Sequence, residues 1–354
     1  MELGAQRNFY PPRLIYWEVT AGCNLRCAGC ATQASSLLSP ADLNHAESCR
    51  LVDQLGEYAP LTVVLSGGEP LWRRDLFLLA ARARSKRLHL DLVTNGTLID
   101  EIVTARILDA GIACVAVNLD GATAETHDGF RGQAGTFNAA VRGLRYLRAL
   151  GVRTRIHAMI TRHNAHQLTA LLALAEQLQT EAFHGYLHIP TGCGFTVPET
   201  LALRRDEAQE ILAWLYHRRI GTALDIKVTY APHAPEAPRG GSSEGRAGTP
   251  LARVPGFCKS CLAQSDLCYI SHSGEVYPCG YLPVSAGNLR TAPFGEIWRH
   301  AAAFELTRAK PGEEAACPCG EYRSLCSACH PGEPDAAGRG RLPRRDGGKS
   351  LPVM

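Results

Sequence analysis

The sequence predicts an α/β protein in which parallel strands alternate with helices, followed by a small cysteine-rich module. From residue 14 to about residue 230, short apolar runs alternate with amphipathic stretches, the pattern of repeated strand and helix units. Fourteen cysteines in 354 residues fall mostly into an N-terminal and a C-terminal group, and a Pro- and Gly-rich stretch lies between these groups. These observations predict one large α/β domain and a smaller module.

Six apolar runs in the first region are predicted to be strands, and a seventh closes it. They are LIYWEVT (14–20), LTVVLS (61–66), LHLDLVT (88–94), IACVAVNLD (112–120), TRIHAMIT (154–161), FHGYLHI (183–189) and finally LDIKVTY (224–230). Six or so strand and helix units are too few for an eight-stranded closed barrel, yet more than a minimal doubly wound sheet needs.

Helices are predicted between these strands from apolar residues spaced at i, i+3, i+4 and i+7. One such stripe begins at Phe137 and another at Leu168, and a further helix is predicted over about 205–219. Gly111 and Gly151 each follow a helical pattern and precede a strand, which is the position of a helix C-cap.

Composition predicts the domain boundaries. The 26 positions of 231–256 hold five Pro and five Gly, which predicts a linker or mobile loop. The last 24 residues hold four Pro, five Gly and four Arg, which predicts a disordered tail. The predicted division is an N-terminal extension 1–12, a core 13–230, a linker 231–256, a cysteine-rich module 257–330 and the tail 331–354.

Charge and hydropathy exclude several function classes. The net charge of +3 lacks the basic excess of a dedicated nucleic-acid binder. No run of about 18 apolar residues and no signal-peptide pattern is present, so we expect a cytoplasmic protein without a membrane partner. Because the cytosol keeps thiols reduced, the cysteines predict metal ligation and not a disulfide framework.

The first cysteine group reads Cys23-x3-Cys27-x2-Cys30 and follows the first strand directly. Three thiolates at this spacing can hold three irons of a 4Fe-4S cube and leave the fourth iron without a protein ligand. A zinc site normally has a fourth protein ligand, and no other Cys or His lies within ten residues on either side. The spacing therefore favours an open iron-sulfur cluster.

A second motif, Ser66-Gly67-Gly68-Glu69-Pro70, ends the second strand. Glycines at such a position allow the backbone to approach a ligand closely, and the carboxylate beside them can pair with an ammonium group. A Gly-Gly-Glu triplet alone is a weak signal. It becomes specific one strand after the cysteine loop.

The two motifs resemble the radical S-adenosylmethionine (radical SAM) superfamily, over about residues 13–330. The resemblance implies a partial (β/α)6 barrel whose 4Fe-4S cluster, on Cys23, Cys27 and Cys30, binds the amino and carboxylate groups of SAM at the open iron. It also implies one-electron cleavage of SAM to methionine and a 5′-deoxyadenosyl radical, which abstracts hydrogen from the substrate.

The same resemblance implies further site residues. Glu69, with the glycines Gly67 and Gly68, would hold the SAM amino group, and Asn118 in VAVNLDG would face the ribose. Arg131 in HDGFRG would bind the SAM carboxylate, although an Arg in a Gly-flanked loop is also often merely solvated, so both interpretations stay open. Asn95 in TNGT is predicted to set a turn.

The second cysteine group resembles the C-terminal SPASM module, or its shortened twitch form, which carries auxiliary clusters. Its spacing is Cys258-x2-Cys261-x6-Cys268-x10-Cys279 followed by Cys317-x-Cys319-x6-Cys326-x2-Cys329. The match is imperfect, and it implies one auxiliary 4Fe-4S cluster, on Cys261, Cys268, Cys279 and Cys329. The other four are candidate ligands of a second cluster, namely Cys258, Cys317, Cys319 and Cys326. A zinc site on the last four cysteines of the group stays open.

Longer segments narrow the resemblance to the radical SAM enzymes of alternative haem and haem d1 biosynthesis. They are 14–23, 190–194, 227–233 and the run CYISHSGEVYPCGYLPV at 268–284. This resemblance implies oxidative decarboxylation of the propionates of iron-coproporphyrin III to haem b. The partners implied are a small-molecule carboxylate substrate and a low-potential electron donor such as flavodoxin or ferredoxin.

Two departures from these relatives keep other substrates open. The segment after His233 is Ala- and Pro-rich, and the residues after Cys329 lack an Arg- and aromatic-rich ending. A radical SAM enzyme acting on a sugar acid in natural-product biosynthesis is one alternative. A peptide maturase is another, although the 13 residues before the first strand leave no room for a winged-helix peptide-recognition module.

A carboxylate substrate also needs cationic or hydrogen-bonding partners. Candidates near strand ends or in the linker are His157, Arg162, His163, His188 and His233, of which His233 is the preferred one.

Overall fold

The computed structural model of the chain describes residues 11–28, 30, 39–187, 200–219, 221–230, 266–280 and 284–307. The strands are β1 Leu14–Thr20, β2 Thr62–Gly67, β3 His89–Thr94, β4 Ile112–Asn118, β5 Arg153–Ile160, β6 Ala182–Leu187, β7 Asp225–Tyr230, β8 Leu267–Ile270, β9 Glu275–Tyr277 and β10 Gly287–Asn288. The helices are α1 His45–Gly56, α2 Leu76–Ser85, α3 Glu101–Asp109, α4 Ala124–Arg131, α5 Thr136–Ala149, α6 Leu168–Gln177, α7 Arg205–Arg219, α8 Phe294–His300 and α9 Ala302–Thr307.

All of these strands form one sheet in the order β10-β9-β8-β1-β2-β3-β4-β5-β6-β7. Strands β1 to β7 pair in parallel with their neighbours, and helices connect them. A side-chain hydrogen bond joins Tyr16 of β1 to Tyr186 of β6, although four strands lie between β1 and β6 in the sheet. The sheet must therefore curve around an interior. Because β7 and β10 are edge strands, the barrel is partial, as predicted.

Alternation along the strands separates a core face from an inner face. Ile15, Trp17 and Val19 of β1 are almost fully buried among the helices. Their neighbours Tyr16 and Glu18 lie on the opposite, inner face because successive strand residues point to opposite sides. The same alternation on the other strands makes the outer layer apolar and leaves polar side chains inside.

The C-terminal segment extends the barrel sheet. Strand β8 pairs in parallel with β1, and β8 and β9 form a hairpin whose turn contains Gly274 at φ +86°. Helix α8 buries Phe294 and Trp298, and Trp298 packs on Phe304. Strands of two to four residues are too short to show a period, so the sequence did not predict these elements.

The other predicted elements agree with the structure to within two residues at each described end. The strand predicted over 112–120 ends earlier, at Asn118. Gly111 and Gly151 have φ of +75° and +73°, as expected after helices. The predicted linker 231–256 and tail 331–354 lie outside the described residues. No helix in the described part of the chain is long and apolar enough to cross a membrane.

Candidate functional site

The three cysteines of the predicted cluster lie in the loop that follows β1. Cys23 is buried, whereas Cys27 and Cys30 are partly exposed. Burial raises the pKa of Cys23 to about 11. The N–H of Leu25, which donates to the Cys23 sulfur at 3.4 Å, lowers this pKa but does not offset the burial. A thiol with such a pKa is protonated at neutral pH unless a positive centre binds its sulfur, as iron in a cluster would.

The three thiols suit a cluster by their chemistry. A single zinc ion requires all ligand atoms in one coordination sphere, and within the described ranges no group of three His, Cys, Asp or Glu side chains could hold a metal ion. In a 4Fe-4S cube each thiolate binds a different iron. The donor set therefore fits the predicted cluster, and ligation by these three residues stays a prediction.

Backbone contacts hold the Gly-Gly-Glu segment against the cysteine loop. The N–H of Gly68 donates to the Thr20 carbonyl at 2.9 Å, and the N–H of Glu69 donates to the Gly22 carbonyl at 2.8 Å. A Cβ at Gly68 would overlap the Gly22 carbonyl oxygen. Gly67, at φ +127°, would overlap the Thr20 carbonyl in the same way. The two glycines are needed for close backbone approach at this edge of the sheet.

The carboxylate of Glu69 is fully buried. One oxygen accepts from the Leu71 N–H at 3.0 Å and the Thr94 hydroxyl at 2.8 Å, and the other accepts from the Asn95 N–H at 2.8 Å. Burial raises the pKa of Glu69, and these donors lower it. A carboxylate offers about four acceptor positions, so one stays available for the predicted ammonium contact.

Asn95 has a role that the sequence analysis missed. Its side-chain oxygen accepts from the Thr97 N–H at 2.9 Å, which is the predicted turn. Its amide nitrogen donates to the Asn24 side-chain oxygen at 2.8 Å and lies 3.9 Å from the Cys23 sulfur. The turn after β3 thus supports the cysteine loop, and the local pattern TNGT gives no sign of this long-range contact.

Asn118 belongs to β4, and Arg131 belongs to α4, the helix that follows this strand in the chain. Asn118 ends β4 on the inner face, opposite His157 in register, and its predicted contact with ribose stays a prediction. Arg131 ends α4, buried, with its guanidinium 2.5 Å from Asp120 and 3.7 Å from the Cys27 sulfur. The geometry therefore gives Arg131 two protein partners in addition to the SAM carboxylate predicted for it.

The inner face of the barrel carries a polar row. In register across β4 to β7 lie Asn118, His157, His184 and Lys227. Arg155, two residues before His157, lies on the same face and pairs with Asp91 of β3 at 3.0 Å. This row contains two side chains that are cationic at neutral pH and can pair with carboxylates.

The two histidines of this row are neutral. Burial lowers the pKa of His157 to about 3, with help from Arg155, and lowers that of His184 well below its usual value. The Tyr186 ring stacks on His184 at 4.2 Å, and its hydroxyl lies 3.4 Å from His157 Nδ1. Neutral aromatic rings and cations thus lie side by side on the inner face.

Of the five predicted carboxylate partners, His157 alone lies on this inner face within the described ranges. Arg162 pairs with Glu207 at 2.9 Å, and His163 Nε2 lies 3.0 Å from the Thr126 carbonyl oxygen. The structure gives both side chains structural partners. His188 and His233 lie outside the described residues.

The residues missed here carry a signal that was readable. Arg155, His184, Tyr186 and Lys227 are polar residues at alternate positions of predicted strands. A polar residue at every second position of a strand between two helices marks the inner face of a barrel. These positions lie within the strands and not at their ends, where catalytic side chains of parallel barrels are usually found.

Cys268 and Cys279 have different surroundings. Cys268 is in register with Ile15 and fully buried in the hydrophobic core, which raises the pKa of its thiol. Cys279 follows β9 and is partly exposed, and its thiol is among the groups that raise the pKa of Tyr16, after burial and Asp91. Ligation of one auxiliary cluster by both cysteines stays a prediction. The other predicted ligands of the module lie outside the described residues: Cys258, Cys261, Cys317, Cys319, Cys326 and Cys329.

The hairpin that leads to Cys279 is fastened to the start of the cysteine loop. Asp42 accepts from the Thr20 hydroxyl at 2.6 Å and lies 2.9 Å from His272 Nδ1 in the hairpin turn. The Leu43 N–H donates to the His272 carbonyl at 2.7 Å. The two cysteine-bearing regions are therefore held in one structural unit at the carboxyl end of β1.

Comparison with known proteins agrees with this arrangement. Residues 17–175 match the radical SAM superfamily, and residues 261–330 match SPASM, an iron-sulfur cluster-binding domain. The AdoMet-dependent heme synthase of Methanosarcina barkeri (strain Fusaro / DSM 804) is 34% identical over 322 residues, which cover 90% of this chain and 91% of that protein. The mycofactocin maturase MftC of Mycobacterium ulcerans (strain Agy99) is 32% identical, with 90% and 83% covered.

Among solved structures, Streptococcus suis SuiB bound to S-adenosylmethionine superposes with a TM-score of 0.62 at 15% identity, over 89% of this chain and 72% of SuiB. At this identity the similarity concerns the fold alone. The family matches and the extended similarity to the heme synthase carry the assignment. The chain therefore belongs to the radical SAM superfamily, and within it to the members with a C-terminal SPASM iron-sulfur cluster-binding domain.

Proposed function

We propose that the protein oxidatively decarboxylates propionate side chains of iron-coproporphyrin III to give haem b. The observation that carries this proposal is the inner-face row, where Arg155 and Lys227 lie next to the neutral rings of His157, His184 and Tyr186. A flat aromatic macrocycle with several carboxylates matches cations interleaved with aromatic rings. The extended similarity to an AdoMet-dependent heme synthase supports the same substrate.

The cofactors are a 4Fe-4S cluster with SAM and the iron-sulfur centre of the SPASM domain. When bound, the cluster on Cys23, Cys27 and Cys30 and its SAM supply a carbon radical that can remove a hydrogen atom from the substrate. The overall change at each propionate breaks one C–H bond and the C–C bond to the carboxylate. It forms a vinyl C=C bond, releases CO2 and leaves one electron, for which one auxiliary cluster is the proposed acceptor.

The chain's own groups bind, orient and shield the substrate. Arg155 and Lys227 pair with carboxylates that are not reacting, which fixes the macrocycle relative to the cysteine loop. His157 and His184 stay neutral and therefore form an aromatic wall that adds no charge. Cys279 is a proposed ligand of the auxiliary cluster, and its thiol is among the groups that raise the pKa of Tyr16 on the inner face.

The test is a turnover experiment with anaerobically reconstituted protein, dithionite, SAM and iron-coproporphyrin III. The expected products, by mass spectrometry, are haem b and two equivalents of 5′-deoxyadenosine per haem. Release of 5′-deoxyadenosine with the tetrapyrrole mass unchanged would contradict the proposal. Parallel reactions with sugar acids and with a mycofactocin precursor peptide test the alternative substrate classes, since a mass change in one of these compounds would identify it as a substrate.

The proposal extends to the surroundings of the reaction. Reduction of the cluster in the cell requires a low-potential partner, for which flavodoxin or ferredoxin is proposed, and a cytoplasmic location fits both. Replacement of dithionite by a flavodoxin with its reductase is expected to sustain turnover with iron-coproporphyrin III.

A further inference from the structure

The C-terminal end of α4 packs directly on the cysteine loop. The Ala28 N–H donates to the Phe130 carbonyl at 3.0 Å. Gly132, the left-handed cap at φ +71°, lies so close to the loop that a Cβ there would be 2.7 Å from the Arg26 carbonyl oxygen. Backbone contact on both sides of Arg131 therefore fixes its side chain next to the loop.

Arg131 brings a buried positive charge to one of the three sulfurs. Its Nη1 lies 3.7 Å from the Cys27 Sγ, and its Nη2 lies 2.5 Å from Asp120 Oδ2. A guanidinium is cationic in proteins, and the carboxylate of Asp120 balances its charge. The remaining donor, Nε, is buried and has no hydrogen-bond partner in the described part of the chain.

Asp120 is anchored by several elements. Its Oδ1 accepts from the Met159 N–H at 2.7 Å, its carbonyl accepts from the Asn164 side chain at 2.8 Å, and its N–H donates to His127 Nδ1 at 3.0 Å. Burial lowers the pKa of His127 to about 4, so this imidazole is a neutral acceptor. An immobile carboxylate in turn immobilises the guanidinium that faces Cys27.

The sulfurs of Cys23 and Cys27 therefore have different surroundings. Cys23 receives neutral N–H donors, from Leu25 at 3.4 Å and from the Asn95 side chain at 3.9 Å. Cys27 receives a cation. Charge and hydrogen bonds at ligand sulfurs set the reduction potential of an iron-sulfur cluster, because the reduced form carries one more negative charge.

We propose that Arg131 is a positioning residue for Cys27 that raises the reduction potential of the SAM-binding cluster, with Asp120 as its anchor. The proposal concerns the sulfur of Cys27 and leaves the predicted contact of Arg131 with the SAM carboxylate in place. It rests on ligation of the cluster by Cys23, Cys27 and Cys30, and it is independent of the substrate.

The experiment is a redox titration, monitored by electron paramagnetic resonance, of the reconstituted full chain without substrate. Arg131→Met is expected to lower the midpoint potential of this cluster, and Arg131→Lys to lie nearer the wild-type value. The control Arg26→Met removes a charge one residue from Cys27 but from an exposed position, where solvent screens it. Its midpoint is expected to equal that of wild type. The titration is carried out without SAM, so that a contact of Arg131 with the SAM carboxylate does not contribute to the shift.

An unchanged midpoint in Arg131→Met would overturn the proposal, because the charge beside Cys27 would then have no effect on the cluster. If Arg131→Met does not take up iron, the midpoint potential of Asp120→Asn tests the proposal instead, because this variant retains Arg131 and removes the negative charge that balances it. A higher midpoint in Asp120→Asn supports the proposal, and an unchanged one refutes it. Neither result depends on the formation of haem, so failure of the proposed function is recognised separately.

Discussion

The backbone N–H of Glu69 donates to the carbonyl of Gly22 at 2.8 Å, which joins the Gly-Gly-Glu segment to the cysteine loop one residue before Cys23. Two loops from adjacent parallel strands thereby become one rigid edge. The bond is only attainable because Gly68 has no side chain, since a Cβ there would overlap the Gly22 carbonyl oxygen. A substitution that breaks this hydrogen bond should therefore disturb both the ligation of the cluster and the position of Glu69.

Gly68→Ala is expected to displace the cysteine loop and lower both the iron content and the stability. Backbone atoms cannot yield as a flexible side chain does, so the cost is on the order of 1–3 kcal/mol. Iron per chain and urea unfolding measure the two effects. The control is Gly129→Ala in α4, where the added Cβ would meet no atom within 4 Å. This substitution should be neutral or should stabilise the protein by about 0.5–1 kcal/mol. Equal behaviour of the two variants would contradict this account of the loop edge.

Local spacing in the sequence was enough to predict the cysteine loop and the Gly-Gly-Glu segment, because each is continuous and each follows a strand. The contact of Asn95 with Cys23 joins residues 72 positions apart, and that of Arg131 with Cys27 joins residues 104 apart. No local pattern encodes such contacts. They arise because the carboxyl ends of parallel strands meet at one edge of the sheet.

Most strands of the fold were predicted from the sequence, but the C-terminal extension of the sheet was not. The strands of the six strand and helix units have clear periods over six to eight residues, and their positions were predicted within two residues. The pairing of β8 with β1 was not predicted, because a four-residue strand next to Cys268 has no period of its own. The resemblance to the SPASM module grouped Cys268 with the metal ligands, and nothing in the local sequence indicated its register with Ile15 in the core.

Cys268 and Cys279 are expected to respond differently to substitution. Cys279→Ser should lose the auxiliary cluster, about four irons per chain, and retain release of 5′-deoxyadenosine while product formation stops. Cys268→Ala should keep its full iron content and lose about 1 kcal/mol of stability, from a small cavity beside Ile15. Iron analysis and anaerobic turnover make the comparison. The same iron loss in a folded Cys268→Ala variant would show that Cys268 is a ligand.

The stability of the protein is expected to fall as the pH decreases from 7 to 5. The pKa of His157 is about 3 in the folded protein, whereas an unfolded chain has the usual value near 6.5. Between these values the unfolded state binds a proton that the folded state excludes, so stability present above pH 6.5 is lost progressively below it. His157 alone contributes about 2 kcal/mol of this loss by pH 5.

The variant His157→Gln should therefore lose less stability between pH 7 and pH 5 than wild type does. Urea unfolding at the two pH values, with each protein compared with itself at pH 7, gives the difference. Parallel loss of stability in the variant and the wild type would mean that His157 is protonated in the folded protein, contrary to its burial beside Arg155.

Arg155 and Arg153 offer a matched test of the proposed substrate space. Both belong to β5 and differ by two positions, so they lie on the same face of the sheet. Arg153, at the amino end of the strand, is more exposed and pairs with Glu181 at 2.7 Å, whereas Arg155 lies beside Asp91 and the inner-face row. Arg155→Met should weaken binding of iron-coproporphyrin III about tenfold, the value of one lost charge-assisted hydrogen bond. Arg153→Met should leave the affinity unchanged, and titrations followed by porphyrin absorbance compare the two. Equal affinities of both variants would place the macrocycle away from this row.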